Sequence, residues 1–385
     1  MGFYSEYLDK QLNFQQLTEE RKLQLVKISK LRGGRDILVY AADFNKKADA
    51  ISINYSDLLP ISDQLSNLSG DKIDLIIETP GGSGEVAEDI VKLLHDKYDE
   101  VGVIIPGWSK SAGTIIAIAG DGILMGKLSA LGPIDAQLTW QGKHFSAHAL
   151  IEGLKKIKKE IEETGVLNKA YIPILQGISP GEIENAENSL SFARDLVKQW
   201  LVKYKFKNWN THSSTKKEVT AQEKEKRAEE IASILCDHSH WKTHGRSIKL
   251  EDLVKMGIKI FDYSKEQKLN EAITRYYTLL QMTFATTIYK VIETKNSQIY
   301  RFIVPNAPKN QVNPREAKNV IIDFDCSNCK KPSRIQANLN EKSKIEPNCI
   351  EFPQNNKFSC PYCHTENDLS QLRIEIEAQT KNNIV

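Results

Sequence analysis

The stretch KIDLIIETPGGSGEVAEDIVKLLHDKYDEVGVIIPGWSKSAGTIIAIAGDGILMGKLSALGPIDAQ, residues 72–137, holds two strand-to-helix junctions in succession. Its first apolar, β-branched run, residues 73–77, ends in Pro80-Gly81-Gly82. A segment with Val86, Ile90, Leu93 and Leu94 on one helical face follows. A second run, residues 101–105, breaks at Pro106-Gly107 and passes through Ser109-Lys110-Ser111-Ala112-Gly113-Thr114 into an apolar segment, residues 115–119, that reads as a buried helix. Two such junctions in a parallel sheet leave both turns on one edge, where open α/β folds build their sites.

The residue types at those turns have a chemical use. Gly81 and Gly82 can take backbone angles closed to other residues, which lets their N–H groups point into a cleft instead of into a ladder. Ser111 heads the second helix, where first-turn N–H groups lack intrahelical partners and the dipole favours negative charge. A serine hydroxyl there can attack a carbonyl, with the N–H of Ala112 and those of the glycine turn holding the oxyanion. Either feature alone reads as an ordinary turn or an N-cap. Their order, with a helix and a strand between, is what points to a nucleophile.

The sequence PGGS, followed by a helix, a strand, GWSKSAGT and AIAGD, resembles the serine peptidases of the Clp and crotonase superfamily. Within it, LGPIDAQ and the later WKTHGRSI are most similar to the serine dehydrogenase proteinase family, relatives of signal peptide peptidase A. The resemblance spans about residues 37–260 and is strong only over the stretch quoted above. It implies an α/β fold with a crotonase/Clp-protease-like ββα spiral core, Ser111 as nucleophile, Gly81, Gly82 and Ala112 as the oxyanion hole, and a peptide or protein substrate. It also implies a homo-oligomer and leaves room for a regulatory partner.

The resemblance does not settle the general base. The Clp proteolytic subunit has a histidine on the strand after the nucleophile, and this chain has Ile134 and Asp135 there, of which Asp135 can orient a base. Relatives of signal peptide peptidase A use a later lysine, for which Lys155, Lys156, Lys158, Lys159 and Lys169 are candidates. His244 matches the histidine of the family's Thr-His-Asp motif, with Gly245 replacing the aspartate. The expected catalytic set is Ser111, His244 and Asp135, with a lysine base as the alternative.

Length and composition bound the rest. A chain of 385 residues, 40% hydrophobic, can bury a full core and is expected to divide into more than one domain. A formal charge of +2 supplies no global field to attract nucleic acid or anionic membrane. The polar start MGFYSEYLDKQLNF does not read as a signal peptide, and no run approaches the roughly 20 apolar residues of a membrane span. A cytoplasmic location is therefore expected. The expected domains are a helical arm over residues 1–34, the peptidase domain over 35–265, a helix and hairpin linker over 266–318, and a zinc ribbon over 319–385.

That last domain follows from Cys326-Ser327-Asn328-Cys329 and Cys360-Pro361-Tyr362-Cys363, two knuckles that supply the four thiolates a structural Zn2+ prefers. The remaining cysteines, Cys236 and Cys349, are isolated, which with four thiols in a metal pattern indicates a reducing compartment. The local run CDHSHWKTH, residues 236–244, reads as a loop and not a metal site. Nucleic-acid binding by the ribbon is not favoured, because its basic residues lack interleaved aromatic platforms. Two functions stand open: a soluble serine peptidase whose ribbon recruits substrate or partner, and a catalytically inactive Clp/crotonase-fold binding or assembly protein that acts through its ribbon.

Overall fold

The computed structural model describes residues 2–46, 49–140, 143–212, 215–303, 318–380 and 382–385. The chain divides into two compact units, Met1–Ile303 and Val304–Val385. The first opens with helices α1 (Phe3–Asp9) and α2 (Phe14–Leu31), then strand β1 (Asp36–Ala42) and helix α3 (Leu58–Ser66). The quoted stretch supplies β2 (Lys72–Glu78), α4 (Gly84–Lys97), β3 (Glu100–Ile105), the short β4 (Trp108–Ser109), α5 (Ala112–Ala119), β5 (Gly122–Met125) and β6 (Ala130–Leu131). Beyond it lie the hairpin β7 (Gln137–Trp140) and β8 (Lys143–Ser146), then helices α6 (Ala147–Thr164), α7 (Ile172–Gln176) and α8 (Pro180–Trp200). Helices α9 (Ala221–Leu235), α10 (His238–Trp241) and α11 (Leu250–Lys255) precede β9 (Ile260–Asp262), α12 (Gln267–Phe284), β10 (Ile288–Glu293) and β11 (Gln298–Phe302).

Seven of these strands form one sheet in the order β11-β10-β1-β2-β3-β5-β9. The section from β1 to β9 is parallel, and β10 and β11 close one side antiparallel. Strand alternation divides the core between the two faces. Leu38, Leu75, Val103 and Ile123 pack toward α3, α4, α5 and α8, while Val39, Ile76, Ile104 and Leu124 pack against α2 and α12. Mostly apolar runs are what strands covered on both faces require, and the buried Asp74 within β2 is met by Arg32 and Arg35.

Residues 266–303, the described part of the segment expected as a linker, pack within the first unit. Strand β10 pairs with β1 across the sheet, Tyr40 opposite Ile292, and Ala272 and Ile273 of α12 share a core with Leu25 and Ile28 of α2. Residues 304–317 lie outside those described. Buried charges lock this region together. Arg21 of α2 forms a bidentate pair with Glu293 of β10 at 3.0 and 2.9 Å, and Lys290 bonds both carboxylate oxygens of Asp57 at 2.9 and 2.8 Å.

A second, smaller ladder lies beyond the C-terminal ends of the parallel strands and shapes the functional edge. Thr79 bridges Ser109, Ile53 bridges Gly82, and Leu131 bridges Ile248. Thr79 donates its N–H to Trp108 O at 3.0 Å, and Lys110 donates to Thr79 O at 2.9 Å. The glycine turn after β2 and the serine turn before α5 are thereby held side by side.

The second unit contains β12 (Asn319–Asp325), β13 (Pro332–Asn338) and β14 (Cys349–Glu351) in one sheet, the pair β15 (Lys357–Ser359) and β16 (Glu366–Asp368), and α13 (Ser370–Thr380). Its core is small, centred on Ile335, Ala337, Phe352, Phe358 and Leu369. A core of that size usually needs a staple.

Candidate active site

Ser111 sits at the N-cap of α5 with φ 50° and ψ −117°, in the left-handed half of backbone space that a side chain other than glycine seldom occupies. Its hydroxyl makes no capping bond, so the ordinary use of serine at a helix start does not apply. The turn is held by backbone instead. Gly113 donates to Lys110 O at 2.8 Å and Thr114 to Ser111 O at 2.8 Å.

Gly81 and Gly82 have φ values of 102° and 148°. A methyl group on Gly81 would lie 2.6 Å from Ser111 Cβ, 2.8 Å from Lys110 O and 3.2 Å from Ala112 N, so absence of a side chain is what lets this turn touch the serine turn. The N–H of Gly81 donates to Thr79 Oγ1 at 3.2 Å. Those of Gly82 and Ala112 have no acceptor among the described residues. Of the three expected oxyanion donors, Gly81 is therefore engaged within its own turn, and the other two are free.

Thr114 Oγ1 donates to Gly132 O at 2.8 Å and accepts from Gly132 N at 3.0 Å, which brings the segment carrying Asp135 onto α5. Asp135 is buried and accepts hydrogen bonds from Gln137 Nε2, Ser146 Oγ and His238 Nδ1 at 2.7, 2.7 and 2.8 Å. His244 Nδ1 lies 3.9 Å from the same carboxylate oxygen that His238 holds, and is itself buried without a hydrogen-bond partner. Two imidazoles thus face one carboxylate, and His238 was not among the residues expected from sequence. Asp135 and His238 lie 103 positions apart in the sequence, so no local spacing signals that they meet. Burial holds the His244 ring below the ordinary 6.5; Asp135 pushes it up, and the nearby His238 and Lys110 push it down.

The lysines expected as alternative bases stand apart from this arrangement. Lys155, Lys158 and Lys159 lie on exposed positions of α6 and pair with Glu152, Glu162 and Glu163, and Lys156 and Lys169 are exposed as well. Lys110, next to Ser111, is a buried lysine. Burial, aided by Lys249, pushes its ammonium down to about 8.

In the second unit the four Sγ atoms of Cys326, Cys329, Cys360 and Cys363 lie within 4.8 Å of one another. Two of the separations are 3.6 Å, close to the roughly 3.8 Å edge of a tetrahedron with metal–sulfur bonds of about 2.3 Å. Both knuckles turn alike: Lys330 N–H donates to Cys326 O and His364 N–H to Cys360 O, with φ 59° and 60°. The donor set fits a tetrahedral thiophilic metal. Among the described residues it is the one group of potential ligands close enough to share an ion, and the histidines of residues 236–244 form no such group.

A parallel sheet with a strained serine at a helix start, touching a glycine turn that follows the preceding strand, defines a Clp-like α/β core. The chain belongs to the ClpP-like SDH-type serine proteinases, whose family pattern it matches over residues 7–208. His238, His244 and the cysteine unit lie beyond the matched residues. It is similar to two uncharacterized proteins of Methanocaldococcus jannaschii, at 39% identity over 95 residues and 29% over 188. These matches cover 25% and 49% of this chain, and the chain spans 32% and 53% of the relatives' own lengths. Among solved structures it resembles a mutant of the 1510-N membrane-bound stomatin-specific protease, with 16% identity over 57% of this chain and 79% of that one, at a TM-score of 0.32. A mutant ClpP1 from Listeria monocytogenes matches 63% of this chain and 99% of its own, with 14% identity and a TM-score of 0.31. No helix among the described residues is long and apolar enough to cross a membrane.

Proposed function

We propose that the chain is a serine peptidase in which Ser111 Oγ attacks the carbonyl carbon of a peptide bond. The observation that carries this is the uncommitted hydroxyl of Ser111, held at positive φ beside two backbone N–H groups that lack acceptors. Gly82 and Ala112 then donate to the oxyanion, each worth roughly 3 to 4 kcal/mol of barrier. His244 takes the hydroxyl proton as attack proceeds and returns it to the leaving amine, and Asp135 orients the ring and stabilises the imidazolium. The 3.9 Å approach of His244 to Asp135 shortens when substrate is bound, as loose hydrogen bonds of unliganded sites do.

A second reading makes His238 the base, favoured by its 2.8 Å hydrogen bond to Asp135. A fluorophosphonate probe decides the first step: it labels the wild-type chain and not Ser111→Ala. A folded wild type that takes no label would leave the inactive binding or assembly protein as the better account. Comparing His244→Ala with His238→Ala assigns the base, since only loss of the base abolishes labelling.

Cys326, Cys329, Cys360 and Cys363 hold a structural Zn2+, and the unit they staple serves to recruit a protein substrate or partner. Homo-oligomer formation and a cytoplasmic setting complete this reading.

A further inference from the structure

Lys110 immediately precedes Ser111, is 9% exposed, and has no carboxylate partner among the described residues. Its ammonium donates to Leu131 O at 3.1 Å, Arg246 O at 3.0 Å and Ser247 Oγ at 3.1 Å. Three protons therefore meet three neutral acceptors, one on the strand leading to Asp135 and two on the loop just after His244. Burying a cation without a counter-charge is unfavourable, so these bonds have to hold it in place. The fit is close: a methyl group on Gly132 would lie 2.5 Å from Lys110 Cδ.

We propose that Lys110 is a positioning residue of the hydrolytic site: its ammonium ties the loop that carries His244 to the turn that carries Ser111. The inference rests on the reading of Ser111 and His244 as nucleophile and base. The far end of the His244 loop is also anchored, by the Leu131 to Ile248 bridge with N–H to O distances of 3.0 and 2.9 Å and by Lys249 Nζ donating to Leu128 O and Ser129 O at 3.3 and 3.0 Å, while Lys110 holds Arg246 and Ser247, nearest His244. Sequence adjacency makes the tie economical, because any shift of the Ser111 turn carries Lys110 and hence the loop with it. The same cation faces His244 together with His238 from α10 and Asp135 from the segment after β6, while Lys249 faces Lys110 itself. It therefore disfavours the imidazolium and keeps the ring available to accept a proton.

Lys110→Met preserves the stem and removes the ammonium. Hydrogen exchange of the amides over residues 243–249 is expected to rise about tenfold, with β2 and β3 unchanged. In an enzyme that labels, kcat/KM falls by about 10- to 100-fold, and the acid limb of its pH profile moves to higher pH because a positive neighbour of the base is gone. A lysine that only fills space would lower the rate without moving the limb. Ser247→Ala removes one of the three acceptors and should loosen the same peptide to a smaller degree, which keeps the test open if Lys110→Met does not fold. Unchanged exchange over residues 243–249 in the folded variants overturns the tie. An unmoved acid limb in a labelling enzyme overturns the charge effect of Lys110 on His244. A wild type that takes no label overturns the hydrolase reading instead, and the exchange measurement still decides the tie.

Discussion

Gly81→Ala tests the contact on which the site is built. The substitution forces a side chain into φ 102°, a conformation that costs about 1 to 3 kcal/mol, and sets its Cβ 2.6 Å from Ser111 Cβ. Carbon atoms rest at roughly 3.5 to 4.0 Å, so the two turns must part by about 1 Å. Neither side can give way cheaply, because Lys110 O at 2.8 Å and Ala112 N at 3.2 Å are backbone atoms. A displacement of that size in a catalytic constellation costs on the order of 100-fold in rate, about 3 kcal/mol of barrier. The assay is the second-order rate of fluorophosphonate labelling, followed beside a thermal melt. Gly34→Ala supplies the control: Gly34 also has a positive φ, 84°, but nothing lies within 4 Å of its missing Cβ. It should lose stability by strain alone and label at the wild-type rate. Labelling of Gly81→Ala as fast as Gly34→Ala would show that the glycine turn does not shape the reactivity of Ser111.

Other consequences can be checked independently. Cys326→Ser should cut bound zinc from one equivalent per chain to near zero by elemental analysis, and a chelator should melt the second unit while leaving the first intact; retained stoichiometry would mean another ligand set. Lys290→Met leaves the buried Asp57 carboxylate without its cation, and should lower unfolding free energy in denaturant by about 3 to 5 kcal/mol. Glu78 accepts hydrogen bonds from Trp108 N–H and Tyr277 Oη–H, both at 2.9 Å, yet burial pushes its carboxyl from 4.5 up to about 7. The folded state then holds a proton that the unfolded state releases, so this contribution is full below about 4.5 and is lost as pH rises to about 7. Glu78→Gln should flatten the fall in stability between pH 4.5 and 7, read from denaturant midpoints at a series of pH values.

The first part of the chain to become legible was the pair of junctions in residues 72–137, because hydrophobic period and glycine punctuation are local properties. The runs that read as strands form β2 and β3, and the residues after Ser111 form α5. The hairpin expected within residues 266–318 was legible for the same reason. The role of that hairpin was not, since pairing of β10 with β1 joins residues some 250 positions apart and leaves no mark in either segment. Residues 236–244 read as a loop, but residues His238–Trp241 form a one-turn helix capped by Asp237, and nothing in the sequence marks His238, because a histidine there looks the same whether or not a carboxylate faces it.

The amino-acid sequence alone determined where the turns, helices and metal knuckles fall, since backbone angles, periodicity and cysteine spacing act over a few residues. Only the tertiary structure decided which N–H groups remain free, that Asp135 faces two imidazoles, and that Lys110 spans from the Ser111 turn to the His244 loop. Those facts depend on which distant segments the packed core brings into hydrogen-bonding distance, and competition for one acceptor or one cavity is settled only when all claimants are in place.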